Sequence, residues 1–273
     1  MSFSPAWLAL REPADRAARN KDVRAACASH FAKHETINIC DLGAGTGASL
    51  RALANALPAR QRWTLVDYNA ENLAAARTAL TAWADTTETN DGILILRHGA
   101  RTIEVHTRRQ DFAENPQCWS ADTDLVTASA LFDLASQEWI ERFVARLAAD
   151  ETPLLSMLTA NDVIVSNPAH ALDRAVVAAF HAHQTRDKGF GPSAGSAAAR
   201  LLEESLRNAG YTLAVGDSPW ELSWSELLQT TLDGMAHAVG ETNKVSAEDI
   251  ARWRAHEREH LTVGHRDVFA RFI

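Results

Sequence analysis

The stretch that most constrains this chain is Ile37–Gly47, reading I-N-I-C-D-L-G-A-G-T-G. An apolar run closes on an acid, and three glycines follow at alternate positions. A helical pattern then begins at once, with Leu50, Leu53, Ala54 and Leu57 at apolar positions. This order reads as a strand, a tight turn and a helix start. Glycine accepts the turn's unusual dihedrals and lets a ligand approach the backbone. The exposed N–H groups and the positive dipole end of the helix suit a carboxylate or a phosphate.

Downstream, the periodicity alternates between strand and helix. Residues 1–35 read as helical, with Pro13 and Asp15 suited to a helix start. Strands are expected at Ile37–Cys40, Trp63–Val66, Asp124–Ala128 and Leu154–Leu158, and a hairpin or extended third strand over 93–107. Asn69 suits the N-cap of a helix through Trp83, and Ser136 caps one carrying Ile140, Phe143, Val144 and Leu147 on a single face. Asn167-Pro168 reads as a cap and N1 proline, before a stripe of Leu172, Val176 and Phe180. Further helices are expected over Ala197–Asn208, Ser225–Gly240 and Ala247–His260. Strands are expected at Tyr211–Val215 and at Leu261–Phe272, the latter broken near Gly264. Such alternation implies an α/β fold, a doubly wound, mainly parallel sheet. The organisation expected is a helical segment over 1–35, a Rossmann-like core over 36–165, a helical insert with a Gly-rich loop over 166–196, and the rest of the sheet over 197–273 with a helical insert at 224–260.

G-A-G-T-G-A fits the loose dinucleotide pattern G-x-G-x-x-G/A. The acid two residues before the first glycine makes Asp41–Gly47 resemble the first motif of class I S-adenosylmethionine-dependent methyltransferases. That resemblance implies a seven-stranded sheet with a reversed last strand, the added helices forming a lid, and S-adenosylmethionine as cofactor. It places Asp41, Gly43, Gly45, Thr46 and Gly47 against the amino-acid end of the cofactor. Asp67, 24 residues after Gly43, with its neighbour Tyr68, falls at the ribose. Asp111 and Phe112 fall at the adenine, and Ser129, in the small run Ala128–Ala130, falls beside the methyl group. An N-P-P-Y signature is absent from the fourth-strand position, which weighs against planar amide or adenine amine acceptors. N-terminal helices of the family close over the donor, so Arg11 or Arg16 is a candidate for the methionyl carboxylate.

The acceptor side is expected from Phe132 and Asp133 after strand four and from the segment His183–Pro192. His183 and Asp133 are the candidate proton acceptors, and Arg186 and Lys188 the candidate holders of an anionic group. A net charge of −8 and a covered pocket favour a small-molecule acceptor, methylated on oxygen or nitrogen, over nucleic acid. Three scattered cysteines and no apolar run of membrane length suit a cytoplasmic enzyme without disulfides or membrane partners. The rival readings are a nicotinamide oxidoreductase on a similar sheet and a non-catalytic cofactor-binding protein. His256-Glu257-Arg258-Glu259-His260 also matches H-E-x-x-H. Its charged filler and the strand residues that follow oppose a zinc helix, and no metal is expected.

Overall fold

A computed structural model describes residues 3–272, so the outermost residues of the first and last expected segments lie outside it. The described residues form one ten-stranded sheet. Its centre is β1 (Thr36–Leu42), flanked on one side by β2 (Arg60–Asp67) and on the other by β6 (Leu125–Ser129). Beyond β2 lies β5 (Arg101–Arg109). Beyond β6 lie β7 (Leu154–Asn167), β10 (His260–Arg271) and β8 (Thr212–Asp217). The pairs β5–β2–β1–β6–β7 are parallel, whereas β10 runs antiparallel to both its neighbours. The expected hairpin is β4 (Ile93–His98) with β5, and it gains an unforeseen outer strand, β3 (Thr86–Asn90). All five residues of β3 are exposed, so no apolar alternation marked it.

Helices cover both faces. On one, α2 (Lys21–Phe31), α3 (Ala48–Leu53) and α4 (Ala70–Trp83) bury Cys27, Leu50, Ala76 and Leu80 against Ile39, Trp63 and Leu65. On the other, α5 (Gln137–Ala149) and α7 (Ala198–Asn208) pack Trp139, Phe143 and Leu202 against Leu42, Val126 and Val268. The expected caps form: Asn69 Oδ1 accepts from Glu71 N at 2.8 Å, and Ser136 Oγ from Trp139 N at 3.1 Å. Gly210, at φ +91°, follows α7 where a C′ glycine is expected.

A third cluster caps the carboxyl ends of the strands. It joins α1 (Pro5–Ala18), α6 (Asp173–Gln184), β9 (Trp220–Ser223), α8 (Glu226–Gly240) and α9 (Ala247–Ala255). Three boundaries here correct the sequence reading. Helix α1 starts at Pro5, with Ser4 Oγ capping Trp7 N, and runs through Pro13 rather than starting there. Strand β7 continues nine residues past Leu158, because β10 supplies a long antiparallel partner. Asn167 therefore ends a strand, and α6 begins at Asp173.

Candidate cofactor and acceptor site

The three glycines of the first turn sit at φ +63°, +54° and +75°, a region that side-chain-bearing residues avoid. A Cβ on Gly45 would lie 3.0 Å from Leu8 of α1, so the turn lies directly under that helix. Asp67, at the end of β2, braces the turn: its Oδ2 accepts from Gly45 N at 2.8 Å and its Oδ1 from Asn69 N at 2.8 Å. Burial raises the Asp67 carboxyl above the usual range, and these N–H donors oppose the rise. The Asn72 side chain and the Tyr68 N–H also donate to this carboxylate.

A cavity opens over this turn. Gly43, Gly45, Thr46, Asp67, Tyr68, Phe112 and Ser129, all candidates from the sequence, border it. Asp41 lies beneath, fully buried, its Oδ1 accepting from Thr127 Oγ1 at 2.7 Å. Burial pushes its carboxyl up to about 7, against the pull of Thr127 and Arg19. Gly47 also sits behind the turn, packed on Leu80 of α4. Asp111 does not border the cavity. It is exposed, and its Oδ1 accepts from Ala113 N at 2.9 Å, so the acid that follows β5 braces its own loop.

The tertiary structure adds residues that no motif marked. Arg11 and Asp15 occupy successive turns of one face of α1, Arg19 caps its C-terminus, and all three are buried. Arg11 chelates Asp15 through Nε and Nη2 and stacks 4.7 Å from the centre of the Trp220 ring, whose Nε1 donates to Asp15 at 2.9 Å. Arg19 donates to Ser129 Oγ at 3.3 Å, while its Nε is buried without a partner. Arg16, the other expected arginine, is exposed and pairs with Glu12. Glu12 also chelates Arg51 of α3, which ties α1 to the glycine turn. Asn72 of α4 borders the cavity too, and its buried Oδ1 lacks a partner.

A second cavity, of about 170 Å³, lies beside the first, and Arg11 and Ala130 border both. It is walled by β7, β10, α6, α8 and Trp220. Asp133 borders it. Phe132 does not: it is fully buried, packed on Trp139 and Phe143. His265 enters from β10 just after Gly264, where three β7 residues, Asn161–Val163, oppose one on β10. That irregularity requires glycine, since a Cβ on Gly264 would come within 2.0 Å of Asn161 Oδ1. Burial, helped by the charge of Arg11, pushes His265 down to about 3, so its imidazole is neutral.

The expected grouping of His183, Arg186 and Lys188 around an acceptor does not form. At the end of α6, His183 Nε2 lies 2.9 Å and Arg186 Nη1 2.8 Å from Glu241 Oε2, at the end of α8. Neither borders either cavity, nor does Lys188, although the Lys188 charge reaches Asp133. The glycine loop is anchored instead: Ser193 Oγ bonds Leu134 O and Arg186 O, and Ala194 N donates to Ala135 O at 2.7 Å. Its Phe190 packs on Phe112 and Trp139 and borders the first cavity. His256 and His260 share no helix, since α9 ends before His256 and His260 opens β10, with its Nε2 2.5 Å from Glu221. Among the described residues, no group of three or more His, Cys, Asp or Glu is placed to hold a metal ion.

No protein-family model and no curated protein matches the chain. Among solved structures it is similar to the YcgJ protein of Bacillus subtilis, at 12% identity and a TM-score of 0.52, covering 93% of this chain and 99% of that one. Weaker likenesses include the cyclopropane synthase MmaA2 of Mycobacterium tuberculosis (15% identity, 91% and 82% coverage, TM-score 0.46). Another is a precorrin-6y C5,15-methyltransferase of Geobacter metallireducens (13% identity, 92% and 89% coverage, TM-score 0.42). At such identities the likeness is one of fold. The strand order, the reversed β10 and the acid-led glycine turn after β1 together give this chain the fold of the class I S-adenosylmethionine-dependent methyltransferase family.

Proposed function

We propose that the protein is an S-adenosylmethionine-dependent methyltransferase acting on an oxygen or nitrogen of a small molecule. The observation that carries this reading is the pair of cavities meeting at Arg11 and Ala130, one over the glycine turn and one under the helical cap. The first fits the cofactor's polar groups. Arg19, with its unpartnered Nε, faces the methionyl carboxylate; Asp67 and Asn72 accept from the ribose and neighbouring donors; Tyr68, Phe112 and Phe190 flank the adenine. Gly43, Gly45 and Thr46 let the cofactor lie close to the backbone, with Asp41 and Gly47 shaping the turn from behind.

Bound S-adenosylmethionine supplies an electrophilic methyl group, so the chain itself need only align donor and acceptor and exclude water. Ser129 and Ala130, at the end of β6, stand between the two cavities. Ala130 adopts φ +51°, held by its N–H on Met157 O at 2.9 Å. Arg11 closes the passage from the α1 side. Asp133 stands at the acceptor cavity to take a proton.

The walls of α1, α6 and α8 around the acceptor cavity favour a small molecule over a nucleic acid strand, as does the net charge of −8. Among the described residues no helix is long and apolar enough to cross a membrane. Cys27, Cys40 and Cys118 are buried and unpaired, which supports a cytoplasmic setting. The helical segments before and after the core, including 166–196 and 224–260, act in this reading as the acceptor cap. Calorimetry with S-adenosylmethionine, S-adenosylhomocysteine and NAD tests the assignment. Micromolar binding of the first two and none of NAD is expected. Binding of NAD alone would make the protein an oxidoreductase, and cofactor binding without turnover on a fractionated cell extract would make it a sensor.

A further inference from the structure

The volume of the acceptor cavity, about 170 Å³, is close to that of an engineered apolar cavity of about 150 Å³ that takes up benzene. Phe180, Trp220, Met235, Leu158, Ile164 and Val263 supply an apolar lining. Most polar side chains at its border are already engaged. Arg11 is held by Asp15, Asn161 Oδ1 accepts from Val163 N, and Thr231 Oγ1 donates to Leu227 O. Gln184 adds an amide. Two buried polar atoms have no partner: Asp133 Oδ1 and His265 Nδ1. An unmade hydrogen bond on a buried polar atom is costly, so a ligand that supplies a donor gains what the empty site lacks.

Resting on the methyltransferase reading, we infer that the acceptor is a single-ring-sized apolar molecule carrying one amine or hydroxyl, whose hydrogen is donated to the Asp133 carboxylate. The same contact makes Asp133 the proton acceptor. The nucleophile's lone pair forms the new C–N or C–O bond and the C–S bonding pair stays on sulfur. The N–H or O–H proton passes to Asp133 and then to solvent. Burial raises the Asp133 carboxyl above its ordinary range, against the charges of Arg11 and Lys188, which makes it a better base. An anionic ring is disfavoured, because its carboxylate would meet Asp133. The neutral His265 provides a second polar contact without adding charge.

The test uses phenol, aniline, toluene and benzoate as probes, each titrated calorimetrically into protein saturated with S-adenosylhomocysteine, which cannot react. Phenol and aniline are expected to bind at least tenfold more tightly than toluene, and benzoate more weakly still. Asp133→Asn keeps a hydrogen-bond acceptor but loses the charge. It should retain the preference for phenol over toluene and admit benzoate with at least a tenfold gain. Asp133→Leu should erase the preference for phenol; its melting temperature and cofactor heat show whether it is folded, and the Asn variant decides alone if it is not. Equal binding of toluene and phenol to the native protein, or exclusion of benzoate unchanged in Asp133→Asn, would overturn the inference. Native probe ranking without any heat from S-adenosylhomocysteine would support the ligand class while overturning the reading that this ligand is methylated.

Discussion

The two cavities are built in opposite ways. The glycine turn under the first cavity is braced by near neighbours in sequence: Asp67 holds Gly45 across 22 positions, and β1 and β2 form an adjacent parallel pair. The second cavity is lined by residues scattered from Arg11 to His265, and long-range bonds lie around it. Trp220 donates to Asp15 across 205 positions, and Asn20 N donates to Asp267 Oδ2 across 247. Asp267 also accepts from Leu158 N and Ser218 Oγ, so one buried carboxylate joins the start of α2, β7, β10 and the approach to β9. The glycine turn of the first site carries a motif legible in the sequence. The second exists only when distant elements dock, and its residues carry no common motif.

The sharpest way to break this contrast is to attack the turn. In Gly45→Val, a β-branched residue must adopt φ +54° with its Cβ 3.0 Å from Leu8. We expect cofactor affinity to fall by 100-fold or more in calorimetry, with circular dichroism largely retained. Undiminished affinity would place the cofactor elsewhere.

Asp67→Ala follows in size. It removes a charged acceptor from the cavity, and hydrogen bonds to charged groups contribute roughly 1.5–3 kcal/mol. S-adenosylhomocysteine should bind about 10- to 150-fold more weakly. Stability should also fall, because Gly45 N and Asn69 N lose their partner. A variant that loses stability but no affinity would make Asp67 purely a brace of the turn.

The acceptor side is sharpened by pH. His265 is held neutral at about 3, far below the 6.5 of a free imidazole. Above pH 6.5 both folded and unfolded forms are neutral and the residue contributes no pH dependence. As pH falls below 6.5 the unfolded chain gains a proton that the folded one refuses, and stability drops. From pH 7.5 to 5.5 this loss is about 1.4 kcal/mol. Urea unfolding of the native protein and His265→Gln at both pH values should show that difference between them. Identical pH dependence would mean that water reaches the imidazole.

The smallest effect is expected at His183. Its partner Glu241 is exposed, and exposed ion pairs contribute little. His183→Ala should lower the melting temperature slightly and leave cofactor affinity and turnover intact. A hundredfold loss of turnover at normal cofactor affinity would bring the end of α6 back to the acceptor.

What the sequence determined by itself is the framework of the cofactor half. Period-two and period-3.6 patterns marked most core strands and helices, because each buries one face against the next element. The acid-plus-glycine turn marked the ligand end, because only glycine adopts those dihedrals cheaply. Caps such as Ser136 and Asn69 were legible because a side chain there bonds a backbone N–H two or three residues on. Strand β3 and the second half of β7 were not, since an exposed strand exists by virtue of its partner and carries no burial pattern of its own. His183 and His265 show the same limit from opposite sides. His183 was singled out near the end of a helical stripe, whereas His265 was given no role. Only the docking of α6 against α8 turned the first toward Glu241, and only the crowding of Asn161–Val163 against Gly264 brought the second into a cavity. Local conformation follows from local chemistry, whereas the choice of which polar groups are buried together is made by long-range packing.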